Sequence, residues 1–300
     1  MPDLPIHLLL PLLASLLFVT GLIFTKKATT LGVSPWTVTF IANLWTGLLF
    51  STLWLMGGTQ QPLTLLWQPA ILACLFILGQ VLTFSALQFG DVSVAAPVFG
   101  IKVVIVAFLL TVFFGGSLPI AVWVGAAMAT TGVALVQRNP SQEEGERKSL
   151  MLTVLLSASA ASSFALFDTL IQTWAPAWGA GRILPCVFWI VAALSLGLLP
   201  WFQRDALFDS TKRKTLIPGT FLIAVQANCL VTTMATFGDA ARVNVVYAMR
   251  GMWGVVLAYA AARIWGGNEA DLPRNVLMSR FLGAALLTAS VILVVLFGKP

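Results

Sequence analysis

Residues 87–102 read LQFGDVSVAAPVFGIK, and residues 235–250 read ATFGDAARVNVVYAMR. Laid over each other without a gap, Phe89, Gly90 and Asp91 fall on Phe237, Gly238 and Asp239, and Lys102 falls on Arg250. A second match follows in the same order: GAAMATTGVALV (125–136) against GAALLTASVILV (283–294), with an insertion in GGNEADLPRN (266–275) absorbing the change of offset. Short identities are common in apolar sequence. Two in the same order, with a basic residue in each copy, mark an internal repeat.

The surroundings of the repeat are hydrocarbon. The 300-residue chain is 59% hydrophobic and 9% charged, with a mean hydropathy of +0.94, whereas soluble domains carry about 25% charge. Such a chain cannot cover its surface in water, so the expected class is an all-α integral membrane protein embedded in a lipid bilayer. A span needs about 20 apolar residues. Ten runs qualify: 7–25, 35–56, 70–89, 92–114, 119–137, 150–173, 183–202, 216–237, 240–263 and 277–297. Only QRNPSQEEGERKS (137–149) is long and strongly polar. It divides the chain into a first five-helix unit (1–137), a linker (138–149) and a second five-helix unit (150–300). Five is odd, so the second unit enters the membrane upside down. The predicted fold is ten transmembrane helices in a 5+5 inverted-topology repeat, with a site near mid-membrane between the halves.

Other classes lack their residues. The net charge of +6 is not gathered on a basic face with interleaved aromatics, so nucleic acid is not an expected partner. Cys74, Cys186 and Cys229 lie far apart in apolar segments, as small filler rather than zinc ligands or a disulfide framework. His7 is the only histidine; no catalytic triad, paired acids or phosphate-binding glycine loop accompanies it, and no cofactor is expected. The N-terminal apolar run lacks a basic leader and reads as a retained first span. Twelve Lys and Arg lie in loops after odd-numbered spans and three on the other side. The positive-inside rule puts the richer side in the cytoplasm and both termini outside, in the plasma (inner) membrane.

Lys102 and Arg250 each sit about ten residues into a span, or roughly 15 Å, half the hydrocarbon core. A charge at that depth costs about 2.5–3.5 kcal/mol on insertion scales. Two readings are open. Both cations line a polar cavity that receives an anionic group, or one is neutralised by Asp168, the only acid clearly inside a span. Gln80, Asn228 and Asn43 stand at mid-depth as cavity lining or interhelical glue. Tyr247 shares the Arg250 face, and Trp253, three residues beyond it, is placed to stack on a substrate or on the guanidinium. Asp91 and Asp239 follow glycine at helix starts, as N-caps or alternatively proton carriers. Gly125, Ala129, Gly132 and Gly283 suit close helix contact, while Trp36, Trp67, Trp201 and Trp265 suit an interfacial belt.

FSALQFGDVSVAAPVFG (84–100) and FFGGSLPIAVWVGAAMATTGVALV (113–136), with their second-half echoes, resemble the drug/metabolite transporter superfamily, in its EamA-like branch. The resemblance covers nearly the whole chain. Pro97 matches the family's proline early in helix four, though its second-half mate is Val245. Ser117 stands where the family often has glutamate, and Glu269 is the second-half counterpart. The resemblance implies ten helices, no enzymatic activity and a small-molecule substrate, with both termini cytoplasmic. In the phosphate-sugar branch, basic residues in the corresponding helices hold the substrate's phosphate. The expected function is secondary transport of small organic metabolites with an anionic, carboxylate or phosphate-bearing end. Lys102 and Arg250 would take the charge, and Tyr247 and Trp253 the body. Protons or a counter-substrate are the candidate coupling partners. The rival readings are a membrane-embedded enzyme and a non-transporting receptor or scaffold.

Overall fold

Short apolar runs with capping residues between them make a helical chain, and a computed structural model shows how the helices pack. It describes residues 6–89, 98–115, 117–136, 147–254, 256–257 and 274–298. Gly90, Asp91, Pro97, Trp265 and Glu269 lie outside the described residues, as does most of the 138–149 linker. All regular structure among the described residues is helical. Besides the short helix Asp205–Phe208 and the 3₁₀ turns Ile6–Leu8, Thr52–Met56, Leu63–Leu65 and Ser195–Trp201, the longer helices are α1 (Leu9–Thr30), α2 (Pro35–Ser51), α3 (Trp67–Phe89), α4 (Lys102–Val112), α5 (Ile120–Val136), α6 (Arg147–Trp178), α7 (Ala180–Leu194), α8 (Ser210–Phe237), α9 (Ala240–Tyr247) and α10 (Arg274–Phe297).

Among the described residues, seven segments are long and apolar enough to cross a membrane: Ile6–Thr30, Pro35–Met56, Leu63–Ala86, Met151–Trp178, Ala180–Trp201, Ser210–Phe237 and Met278–Phe297. They correspond to expected spans one, two, three, six, seven, eight and ten. Val98–Val112 and Ile120–Val136 are shorter apolar helices at expected spans four and five. Large apolar side chains such as Leu9, Leu48, Phe108, Phe281 and Ile292 are exposed. In water that would be costly; against lipid it is the favoured surface. Several boundaries differ from expectation: α1 runs on to Thr30, α8 begins at Ser210, and α9 ends at Tyr247 inside the expected span 240–263. Helix α6 begins at Arg147, inside the stretch read as linker, because Arg, Lys and Leu are good helix formers and nothing there breaks the turn.

The helix ends explain where the chain reverses. Ser34 accepts from the Trp36 N–H while Pro35 occupies the first helical position of α2, a favourable pairing of cap and fixed φ. Asp209 caps α8 through the Thr211 and Lys212 N–H groups. At the far end, Gly238 is left-handed (φ 62°) and closes the last turn on Met234, a conformation that costs glycine nothing.

The loops collect at two ends. At one, the Thr59 N–H reaches the Trp178 carbonyl, His7 reaches Asp239, and the Gln172 carboxamide accepts from the Ala240 N–H. At the other, Gln203 accepts from the Ser34 N–H. The first end holds Arg182 and Arg242; the second holds Lys26, Lys27, Arg204 and Lys212 to Lys214. Between them the helices pair in matched sets. α1 packs on α8 and α6 on α3; α2 on α8 and α7 on α3; α4 on α6 and α9 on α1; α4 on α5 and α9 on α10. α5 also packs on α10, α2 on α7 and α4 on α9, pairs five apart among the longer helices.

The contact between α5 and α10 uses the small residues singled out in the sequence. A Cβ on Gly283 would stand 2.7 Å from the Gly132 carbonyl oxygen, and one on Gly132 would stand 3.0 Å from the Gly283 carbonyl. Gly125 likewise makes room for Val294, and Ala129 is fully buried. In lipid, where burial itself drives nothing, such backbone approach supplies the van der Waals contact that holds two helices together.

Candidate functional site

α4, α6 and α9 pack on one another, and each brings one polar group to the same place. Lys102 opens α4, Asp168 lies two-thirds along α6, and Asn244 sits in α9. The Lys102 ammonium donates to Asp168 Oδ2 at 2.7 Å. Asn244 Nδ2 donates to the same oxygen at 2.7 Å. The side chains of Lys102 and Asp168 are 13% and 4% exposed, so this is a buried, charge-assisted pair. The ammonium also lies 5.7 Å from the Phe164 ring centroid, one turn before Asp168 on α6. Gly79 of α3 makes room for that ring, since a Cβ there would come within 2.9 Å of three of its atoms.

Arg250 is held differently. Its guanidinium lies 4.6 Å from the Tyr247 ring and 5.6 Å from the Phe18 ring, within cation–π range. Among the described residues no carboxylate is within ion-pairing distance of it. Tyr247 is buried and meets Phe18 edge-on at 6.0 Å, so α1 and α9 together form an aromatic wall behind the cation.

Lys102 and Arg250 share a backbone feature. Just before Lys102, the Ile101 N–H bonds to Val98 O at 3.1 Å; just before Arg250, the Met249 N–H bonds to Val246 O at 3.1 Å. These are i→i−3 bonds, the tight 3₁₀ spacing, at aligned positions of the two copies. A short 3₁₀ step inside a helix often marks a functional hinge.

The remaining expected residues go elsewhere. Asn43 and Gln80 form a reciprocal amide pair, both bonds 2.9 Å, and Asn43 also donates to Ser195 at 2.8 Å. This joins α2, α3 and the end of α7. Asn228 is half-buried on α8. Trp253 does not lie over Arg250; its indole N–H donates to Ser15 on α1 at 3.0 Å. Asp239 departs from the N-cap reading: its side chain makes no capping bond. Instead Oδ2 takes Arg242 at 2.6 Å and His7 at 3.0 Å, while Gln172 satisfies the Ala240 N–H. The arginine and the histidine outcompete the backbone for that carboxylate.

Sequence reasoning missed Asn244, Phe164 and Phe18. Asn244 carried a signal, because it lies three residues before Tyr247 and six before Arg250 on one helical face. The two phenylalanines carried none, being two of twenty in the chain.

The fold and this centre define a multi-pass helical membrane protein with two basic residues at the junction of its middle helices. The model of the EamA-like transporter family matches residues 5–138. That is the family the sequence resembles, within the drug/metabolite transporter superfamily, and its members are membrane transporters rather than enzymes. A crystal structure described only as that of a protein aligns over 97% of both chains, with a TM-score of 0.72 and 18% identity. At that identity it supports the fold alone. No curated protein matches the chain.

Proposed function

We propose that the chain is a secondary transporter of small organic metabolites that carry a negative group, working by alternating access of two inverted five-helix units. The matched helix pairings support the inverted arrangement, since exchanging each helix for the one five places on maps most contacts onto others. The units are 1–137 and 150–300, and the membrane is the plasma (inner) membrane.

One observation carries the substrate reading: the centre holds two cations and, among the described residues, one carboxylate, which is bonded to Lys102. Arg250, which has no carboxylate partner among the described residues, receives the anionic group against the Tyr247 and Phe18 rings. Lys102 stands within the same helix junction as the second positive group. A charge-assisted hydrogen bond contributes about 1.5–3 kcal/mol, so losing it weakens binding roughly ten- to hundredfold. The test is uptake into proteoliposomes of radiolabelled benzoate, methanesulfonate and glycerol phosphate, with glucose as the neutral control. Saturable uptake of at least one anion and none of glucose is expected, with Arg250→Met reducing it at least tenfold. No anion uptake, or full uptake by Arg250→Met, overturns the proposal.

A further inference from the structure

The Lys102–Asp168 pair crosses between the units: Lys102 belongs to the first, Asp168 and Asn244 to the second. Asp168 is 2% exposed, and its Oδ2 holds both the ammonium and the Asn244 N–H. An anionic group that docks on Arg250 and reaches Lys102 therefore competes with Asp168 for one ammonium. If it wins, Asp168 is left as a buried carboxylate with an amide for company. A buried charge stripped of its partner neutralises rather than stays ionised.

We infer that Asp168 is the coupling carboxylate: an anion that displaces it from Lys102 is bound together with one proton, which Asp168 takes up. This rests on the anion reading above. The proton comes from the water on the side to which the centre is open and forms an O–H bond on Asp168. Lys102 keeps its own proton, and no other bond is made or broken. The central groups Lys102, Asp168 and Arg250 carry one net positive charge before loading. With a monoanion and its proton they carry the same, so loading leaves the charge at mid-membrane unchanged.

The neighbours of Asp168 leave few competing titrations. α4 brings Lys102, and α9 brings Asn244 with Tyr247 and Arg250 on the same face. α3 carries no Asp, Glu, Lys, Arg or His. The charges of α7 and α8, Arg182 and Lys212 to Lys214, lie near their N-terminal ends. Asp239, the other carboxylate the repeat offered as a proton carrier, is held by His7 and Arg242 at one end of the bundle.

The test is calorimetric titration of the purified full chain with benzoate and with methanesulfonate, which stays ionised throughout the range. Each is run in two buffers of different protonation enthalpy and at several pH values. Uptake of about one proton per anion is expected, with apparent affinity falling about tenfold per pH unit as pH rises. Asp168→Asn should bind without proton uptake and without pH dependence. If that variant fails to fold, Lys102→Met/Asp168→Asn removes both charges together and must bind, if at all, without a proton. Binding by the native chain with no proton uptake, or uptake that persists in either variant, overturns the inference. If neither anion binds the native chain, the anion reading has failed and the inference falls with it.

Discussion

Lys102 and Arg250 occupy equivalent positions in the two copies, yet their partners differ, and their substitutions should differ too. Lys102→Met removes an expensive charge but strands Asp168 in a site where it is 2% exposed. Breaking a buried pair from one side costs about 3–5 kcal/mol. Folded yield and thermal stability should therefore fall, and Lys102→Met/Asp168→Asn should recover most of the loss. Arg250→Met leaves no described carboxylate behind, so its yield should match that of the native chain. Fluorescence-detected size exclusion of the three variants checks this; equal yield for Lys102→Met and Arg250→Met would mean the pair contributes nothing to stability. The sequence left cavity and fixed pair as alternatives for the two cations. The difference between them depends on which face of α6 carries Asp168, and Asp168 lies outside the aligned segments of the repeat.

At the scale of the helices, the apolar runs and the small residues were legible because length and side-chain volume act locally. A run of about 20 apolar residues has to span, and facing glycines can approach closely. What the runs concealed was packing between distant helices, such as the Gly79 surface on which Phe164 lies beneath the Lys102 ammonium. Gly79→Val fills that space. The ring has to move, and with α3 on one side it moves toward Lys102 and Asp168. Transport should fall several-fold while the chain still inserts. Gly79→Val/Phe164→Leu should restore part of it, since the smaller side chain yields the volume back. Uptake per folded protein measures both; a Gly79→Val chain with native uptake would show that Phe164 does not position the pair. By contrast, Gly283→Leu forces α5 and α10 apart where a Cβ already meets the Gly132 carbonyl at 2.7 Å. Overpacking costs typically about 1–3 kcal/mol, so the expected loss is of stability, read as a lower melting temperature.

For the molecule as a whole, the two ends of the bundle differ in charge, and that difference predicts its orientation. Lys26, Lys27, Arg204 and Lys212 to Lys214 lie at one end, with Arg182 and Arg242 at the other. Short loops rich in Lys and Arg stay in the cytoplasm. The end holding His7 and Asp239 should then face outward, and with it the start of α1 and the end of α10. The resemblance implies the opposite, with both termini inside. The two arguments rest on different things: the charge of the loops, and the habit of a family whose loops need not share that charge. Arg242 weighs less than a free loop arginine, because its guanidinium is already bonded to Asp239 at 2.6 Å. That widens the asymmetry in the same direction. A reporter that fluoresces only in the cytoplasm, fused after Pro300, should be silent, and one placed in the 138–146 linker should be bright. Reversed signals would show that the charge count misassigns the chain, and moving Lys26 and Lys27 to Gln would then leave the topology unchanged.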